Sequence, residues 1–207
     1  MAETTKPLRA DAERNRRLLL DAAAAAFGEH GLDVGVGEIA RRAGVGRGTV
    51  FRRFPTKEHL IAAVVVDRMH QASARGRELL SDPDPGEGLF ELLAAMVKSA
   101  QTDRALFEAV DDEFLANDNI REAHDELVET IGELLHRAQE GGAVRDDVGA
   151  LDLLMMFKGL CEASRPFPGS DIATRQLELV RAALRPVPAA ERLQGRPPTL
   201  EDMRAHS

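Results

Sequence analysis

Apolar residues recur every three to four positions along most of the chain. No segment alternates apolar and polar residues as a half-buried strand does. The pattern predicts an all-α protein. A first helix is expected from about Asp11, an N-cap residue, with Leu19, Ala22, Ala23, Ala26 and Phe27 as its buried stripe and Gly31 as its stop. Two short helices follow, about 37–43 and 47–54, stopped by Gly44 and Pro55. Thr56 then caps a long helix that reaches about Leu80. Its segment 60–66 is an unbroken apolar run rich in valine. That run lies inside a longer helical pattern through Met69 and Ala72, so it is assigned to helix.

The loop Ser81-Asp-Pro-Asp-Pro-Gly separates this part from a helical body. Helices are expected there over 87–100 (Leu89, Phe90, Leu93, Met96 and Val97 inward) and 103–116 (Leu106, Phe107, Val110 and Phe114). Others are expected over 119–140 (Ile120, Ala123, Leu127, Ile131, Leu134 and Ala138) and, strongly apolar, 148–164. Pro166-Phe-Pro-Gly breaks the last of these, and Ser170 caps a final helix to about Leu184, making about nine in all. The tail 186–207 holds four prolines and little apolar content, so it is expected to be loosely held. The domain organisation read from this is 1–56, 57–185 and the tail 186–207.

Composition narrows the function. A 207-residue chain with 43% hydrophobic and 30% charged residues builds a normal core. It has no Trp or Tyr and only 8 Phe, which argues against stacking platforms for single-stranded nucleic acid. The longest apolar run is far short of the roughly 20 residues of a membrane span. The N-terminus has no signal-peptide pattern, and the single Cys161 excludes a disulfide framework. These features lead to the expectation of a soluble cytoplasmic protein with no membrane partner. Net charge is −8, but unevenly spread: residues 1–60 carry +3 and residues 61–207 carry −11. Between 41 and 57 there are six bases (Arg41, Arg42, Arg47, Arg52, Arg53 and Lys57) and no acid. That suggests a polyanion-binding head on an acidic body. Charge alone leaves open a plain solvated basic face.

The pattern in that basic stretch is sharper than its charge. Ile39-Ala-Arg-Arg-Ala-Gly-Val-Gly-Arg-Gly-Thr-Val-Phe-Arg-Arg-Phe reads as helix, glycine-stopped turn and second short helix, a helix-turn-helix. At about 100° per residue, Val50 and Phe54 share one face and pack on Ile39, Ala40 and Ala43. Gly48, Thr49 and Arg52 face away, flanked by Arg47 and Arg53. A slim cationic helix face with base-edge donors is what a DNA major groove admits.

The run from Glu38 through Phe54-Pro-Thr-Lys-Glu-His-Leu, with Leu19-Leu-Asp-Ala-Ala, Ala26-Phe27 and Gly31, resembles the tetracycline-repressor-like (TetR) transcriptional regulators over about residues 14–68. The segment Ala138-Gln-Glu-Gly-Gly-Ala-Val-Arg-Asp-Asp-Val, followed by an apolar helix, is similar to the SbtR-type C-terminal domain of that family. The resemblance implies a homodimer of all-helical subunits that binds a palindromic double-stranded operator and is released by a small-molecule effector. It places Arg47, Gly48, Thr49, Phe51, Arg52 and Arg53 on the recognition helix, and Lys57 at a phosphate. Three departures stand out. Phe51 replaces the usual Tyr, Arg53 the usual His, and Gly35 and Gly46 the usual Ser or Thr caps.

Other motifs carry less. Gly35-Val-Gly-Glu-Ile-Ala fits a dinucleotide fingerprint but follows a helix rather than a strand. Glu133-Leu-Leu-His136 is a single Glu-x-x-His where a di-iron bundle needs two, and Glu133 points outward. No metal or cofactor is expected, and no catalytic residue. Cys161 beside Glu162 reads as packing rather than a reactive thiol. Asp111–Glu113 reads as an exposed acidic run, with a cation site as the alternative. Met96, Phe107, Phe114 and Met155 are candidates to line an effector cavity, although apolar residues at helical spacing are usually core. The reading is a one-component regulator, a repressor, and not an enzyme. The alternative is a helical bundle with an enzymatic or interaction role and a vestigial DNA-binding head.

Overall fold

A computed structural model describes residues 5–103, 106, 117–164, 166–167 and 171–204. Among them every regular element is helical: α1 (Thr5–His30), α2 (Val36–Arg42), α3 (Arg47–Arg53), α4 (Lys57–Leu79), α5 (Pro85–Thr102), α6 (Asp118–Glu140), α7 (Ala150–Ser164), α8 (Ile172–Ala183) and α9 (Leu200–Arg204), with a 3₁₀ turn at Ala189–Glu191. The all-α expectation holds, and 60–66 is helix. The helix expected over 103–116, with Phe107, Val110 and Phe114, lies almost wholly outside the described residues, as do Asp111–Glu113 and Ser170.

The chain divides into two compact units, Met1–Arg68 with Thr102–Ile120 and Met69–Gln101 with Arg121–Ser207. The first reaches beyond the 1–56 head expected from the sequence, because the first half of α4 and a later segment join it. Leu19, Leu20, Ala23, Phe27, Ile39, Val50, Leu60 and Val64 are buried there. Ion pairs add to this unit: Arg16 to Asp67 at 3.9 Å, and Arg68 to the buried Asp103 at 2.6 Å. α1 begins six residues before Asp11. Pro7 in its first turn does not stop it, since an N–H in that turn has no helical acceptor anyway.

The second unit is built on one apolar cluster that includes Leu89, Leu92 and Met96 of α5, Leu127, Ile131 and Leu134 of α6, Leu153 and Phe157 of α7, and Ala173 and Leu184. α5 begins at Pro85, earlier than predicted, because Asp84 Oδ1 accepts the N–H groups of Gly86 and Glu87 and caps it. The tail, expected to be loose, is not. Leu193 N–H donates to Asp147, Arg192 pairs with Asp146, and Arg204 pairs with Asp125. The prolines of the tail carry no sign of the carboxylates that hold it. Among the described residues no helix is long and apolar enough to cross a membrane.

Candidate nucleic-acid interface

The turn between α2 and α3 forms for identifiable reasons. Gly44 has φ +67°, a conformation that costs other residues about 1–2 kcal/mol. This lets Val45 N–H reach back to Ala40 C=O at 3.0 Å and Gly44 N–H to Arg41 C=O at 3.2 Å. Together they satisfy the last carbonyls of α2 in a Schellman stop. Gly35 and Gly46 occupy the N-cap positions of α2 and α3 in extended conformation, with no side-chain cap bond. The expected loss of a side-chain acceptor is therefore real, and the caps work through backbone conformation alone.

α3 is held by one side. Val50 is 1% exposed and Phe54 8%, with Ile39 and Ala40 of α2 also buried, as the helical spacing predicts. Arg47, Gly48, Thr49, Phe51, Arg52 and Arg53 are all exposed. So the six residues assigned to the recognition surface are all of α3 except the buried Val50, and they leave most of the circumference of this short helix open. A Cβ at Gly48 would meet nothing within 4 Å, whereas one at Gly37 would lie 3.4 Å from Arg47 Cδ. The stem of Arg47 thus runs over the start of α2, which limits where its guanidinium can reach. Phe51, 40% exposed, presents an apolar ring on the same surface.

Lys57 opens α4 and is half-buried. Thr56 is the cap before it: its Oγ1 accepts the His59 N–H at 3.3 Å, and its C=O accepts the Leu60 N–H. Lys57 and Glu58 both lie in the first turn, so the side-chain charges there offset, and Lys57 is the cation this helix N-terminus offers to an anion.

The structure corrects the charge reading in one respect. Glu38 accepts hydrogen bonds from Arg41 (2.7 and 2.9 Å) and Arg42 (2.9 Å), and Arg42 also donates to Glu29 at 2.7 Å. These bonds, led by Arg41, hold the Glu38 carboxyl down from 4.5 to about 2. Arg42 donates to His30 Nε2 at 2.8 Å as well. A guanidinium can only donate, so that ring nitrogen must be the acceptor. Two of the six bases counted between 41 and 57 are therefore paired: Arg41 with Glu38 inside α2, and Arg42 also with Glu29 and His30, which braces α2 against the end of α1. The signal was present in the sequence, since Glu38 stands three and four residues before them. Among the described residues no ion pair engages Arg47, Arg52 or Lys57.

The comparisons now decide the family. Residues 19–64 match the profile described as bacterial regulatory proteins, tetR family, and residues 84–186 match the SbtR-like transcriptional regulator C-terminal domain. A TetR transcription regulatory protein from Mycobacterium vanbaalenii is 37% identical, covering 86% of this chain and 99% of that one, with a TM-score of 0.69. The chain belongs to the TetR family. The regulator SrpR of Pseudomonas putida is 27% identical over 185 residues, 84% of each chain. FadR of Bacillus subtilis, solved in complex with stearoyl-CoA, shares the fold at 18% identity, 82% coverage of this chain, 99% of that one and a TM-score of 0.63. This TetR-family chain is accordingly a helix-turn-helix transcription regulator and not an enzyme.

The proposed effector residues divide. Met96 is buried in the core of the second unit, while Met155 is 66% exposed on α7. These two side chains therefore do not share one interior in this chain by itself. Phe107 and Phe114 lie outside the described residues. A residue the sequence reading passed over is Ser73 on α4, fully buried with no hydrogen-bond partner for its hydroxyl among the described residues. A serine in an apolar-patterned helix interior was the available signal. Glu133 and His136 are exposed. Cys161 is held as a thiol by burial and by the adjacent Glu162, which push it up to about 11. A thiol so held is a poor nucleophile.

Proposed function

We propose that this TetR-family regulator is a cytoplasmic homodimeric repressor that binds a palindromic operator and releases it when a small molecule binds the second unit. The observation that carries DNA reading is the outward face of α3. Arg47, Gly48, Thr49, Phe51, Arg52 and Arg53 are exposed on a helix held by Val50 and Phe54. Arg47 and Thr49 read base edges, with Arg52 and Arg53 beside them. Gly48 admits close backbone approach, Phe51 meets a thymine methyl, and Lys57 holds a phosphate.

The second copy is supported by the outer side of α7 and α8, where Met155 is 66% and Leu179 60% exposed. Exposed apolar side chains on two helices that pack together are what a second copy would cover. The effector reading is supported by the unpartnered hydroxyl of Ser73 within an otherwise apolar interior, since a buried polar group without a partner is costly. It is also supported by FadR, whose solved complex holds stearoyl-CoA.

The test is selection of preferred sites from random duplex DNA, then fluorescence anisotropy on the selected site and a scrambled one across a salt series. The expected result is selective binding at two protomers per site that weakens steeply with salt. Equal weak binding to both duplexes, after exhaustive selection, would overturn the reading.

A further inference from the structure

Groups from α6, α7 and the end of α8 bond the backbone of residues 145–149, and the tail is tied to the side chains of Arg145 and Asp147 in that segment. Arg145 and Asp147 are joined by two hydrogen bonds, Nε to Oδ1 at 2.5 Å and Nη2 to Oδ2 at 2.8 Å, and their side chains are only 11% and 8% exposed. Arg145 N–H donates to Leu184 C=O, just past α8, at 2.9 Å. Gln139 of α6 donates to the carbonyls of Arg145 and Val148, both at 3.0 Å. Asp152 of α7 accepts the Gly149 N–H at 2.8 Å.

Onto this hub the tail makes a second layer of bonds. Asp147 Oδ2 also accepts the Leu193 N–H at 2.6 Å, and Arg145 Nη2 also donates to Glu191 C=O at 3.2 Å. Arg192 pairs with Asp146 at 3.0 Å. Pro197 lies so close to Gly149 that a Cβ there would sit 2.7 Å from it, so no larger residue fits without a shift. Further on, Arg196 and Thr199 both donate to Asp202, which fixes the start of α9, and Arg204 closes the path on Asp125 of α6 at 2.6 Å. The SbtR-like match ends at residue 186, so every one of these tail residues lies beyond it.

We propose that residues 187–204 are a strap that pins the α6–α7 connection and thereby presets α7 and α8 for a second copy of this chain. The link to the second copy rests on the homodimer reading above. The physical argument is preorganisation. The connection 141–149 is anchored in the core by Val144 and Val148, while its polar stretch Arg145–Asp147 between them is held by the tail, and without the strap that stretch samples more conformations. Association must then pay for ordering it. Asp147 is the keystone, because it both pairs with Arg145 in two bonds and accepts the tail's Leu193 N–H, beside the direct bond from Arg145 to Glu191 C=O.

The test uses hydrogen exchange over 141–152 and a dilution series by analytical ultracentrifugation. Both are read on the full chain, on Asp147→Ala and on a chain ending at Pro188. The expected result is at least about tenfold lost protection in both variants and a dimer dissociation constant raised about tenfold. Unchanged protection and dissociation would overturn the strap. If the shortened chain or Asp147→Ala does not fold, the double variant Arg192→Ala/Arg204→Ala, which removes only exposed tail pairs, is read by the same two criteria. If the full chain is itself monomeric at every concentration, the homodimer reading and the link to it fail. The exchange data still decide whether the tail pins the connection.

Discussion

Glu38 accepts from both Arg41 and Arg42, and Arg42 reaches on to Glu29 and His30. The carboxylate that titrates in the folded head at about 2 rather than 4.5 ties this bracing to pH. A depressed carboxylate contributes its stability above its unfolded value and loses it as pH falls through its folded one. The difference in melting temperature between the wild type and Glu38→Gln, followed by circular dichroism, should be full above about pH 4.5 and shrink toward about pH 2. A constant difference would show that the pairing contributes nothing. With Arg41 and Arg42 occupied, the proposed DNA contacts rest on α3 and Lys57. Arg47→Ala should lose about 1–3 kcal/mol of discrimination at one base pair. Lys57→Ala should weaken every sequence alike and lower the salt slope by about one unit. A changed base preference in Lys57→Ala would reverse those roles.

The element that sets the geometry of the interface is the α2–α3 turn. Its Schellman stop depends on Gly44 at φ +67°. A Cβ at Gly44 meets no neighbour within 4 Å, so any cost there is conformational and not steric. Gly44→Ala should therefore destabilise the chain by about 1–2 kcal/mol in thermal or urea unfolding. Gly48→Ala makes the useful contrast. Its site is also open, and its helical position favours Ala by about 1 kcal/mol. It should leave folding intact or improved, while operator affinity falls if the backbone approaches the DNA. The helices themselves were legible from their apolar period; α3 buries only Val50, and Phe54, buried just past its end, is the extended C-cap residue and no longer helical. Their ends were less legible. α5 starts at Pro85 because Asp84 turns to cap it, and α1 runs from Thr5 because nothing in its first turn stops it. Such ends depend on local bonds that compete on nearly equal terms.

At the scale of the molecule, the charge asymmetry, the all-helical pattern and the helix-turn-helix were fixed by the order of residues alone. They rest on periodicity and on turn residues, which act over a few positions. The Glu38 pairing was equally local and could have been read from its spacing. What only the tertiary structure decided involves residues far apart in the chain. Sequence spacing says nothing of whether Asp147 meets Leu193, whether Arg204 meets Asp125, or whether Met155 faces solvent while Met96 is buried. A proline-rich tail carries no hydrophobic period to announce where it lies. Its position follows from carboxylates and carbonyls that other elements bring together, and that convergence exists only once the chain has folded.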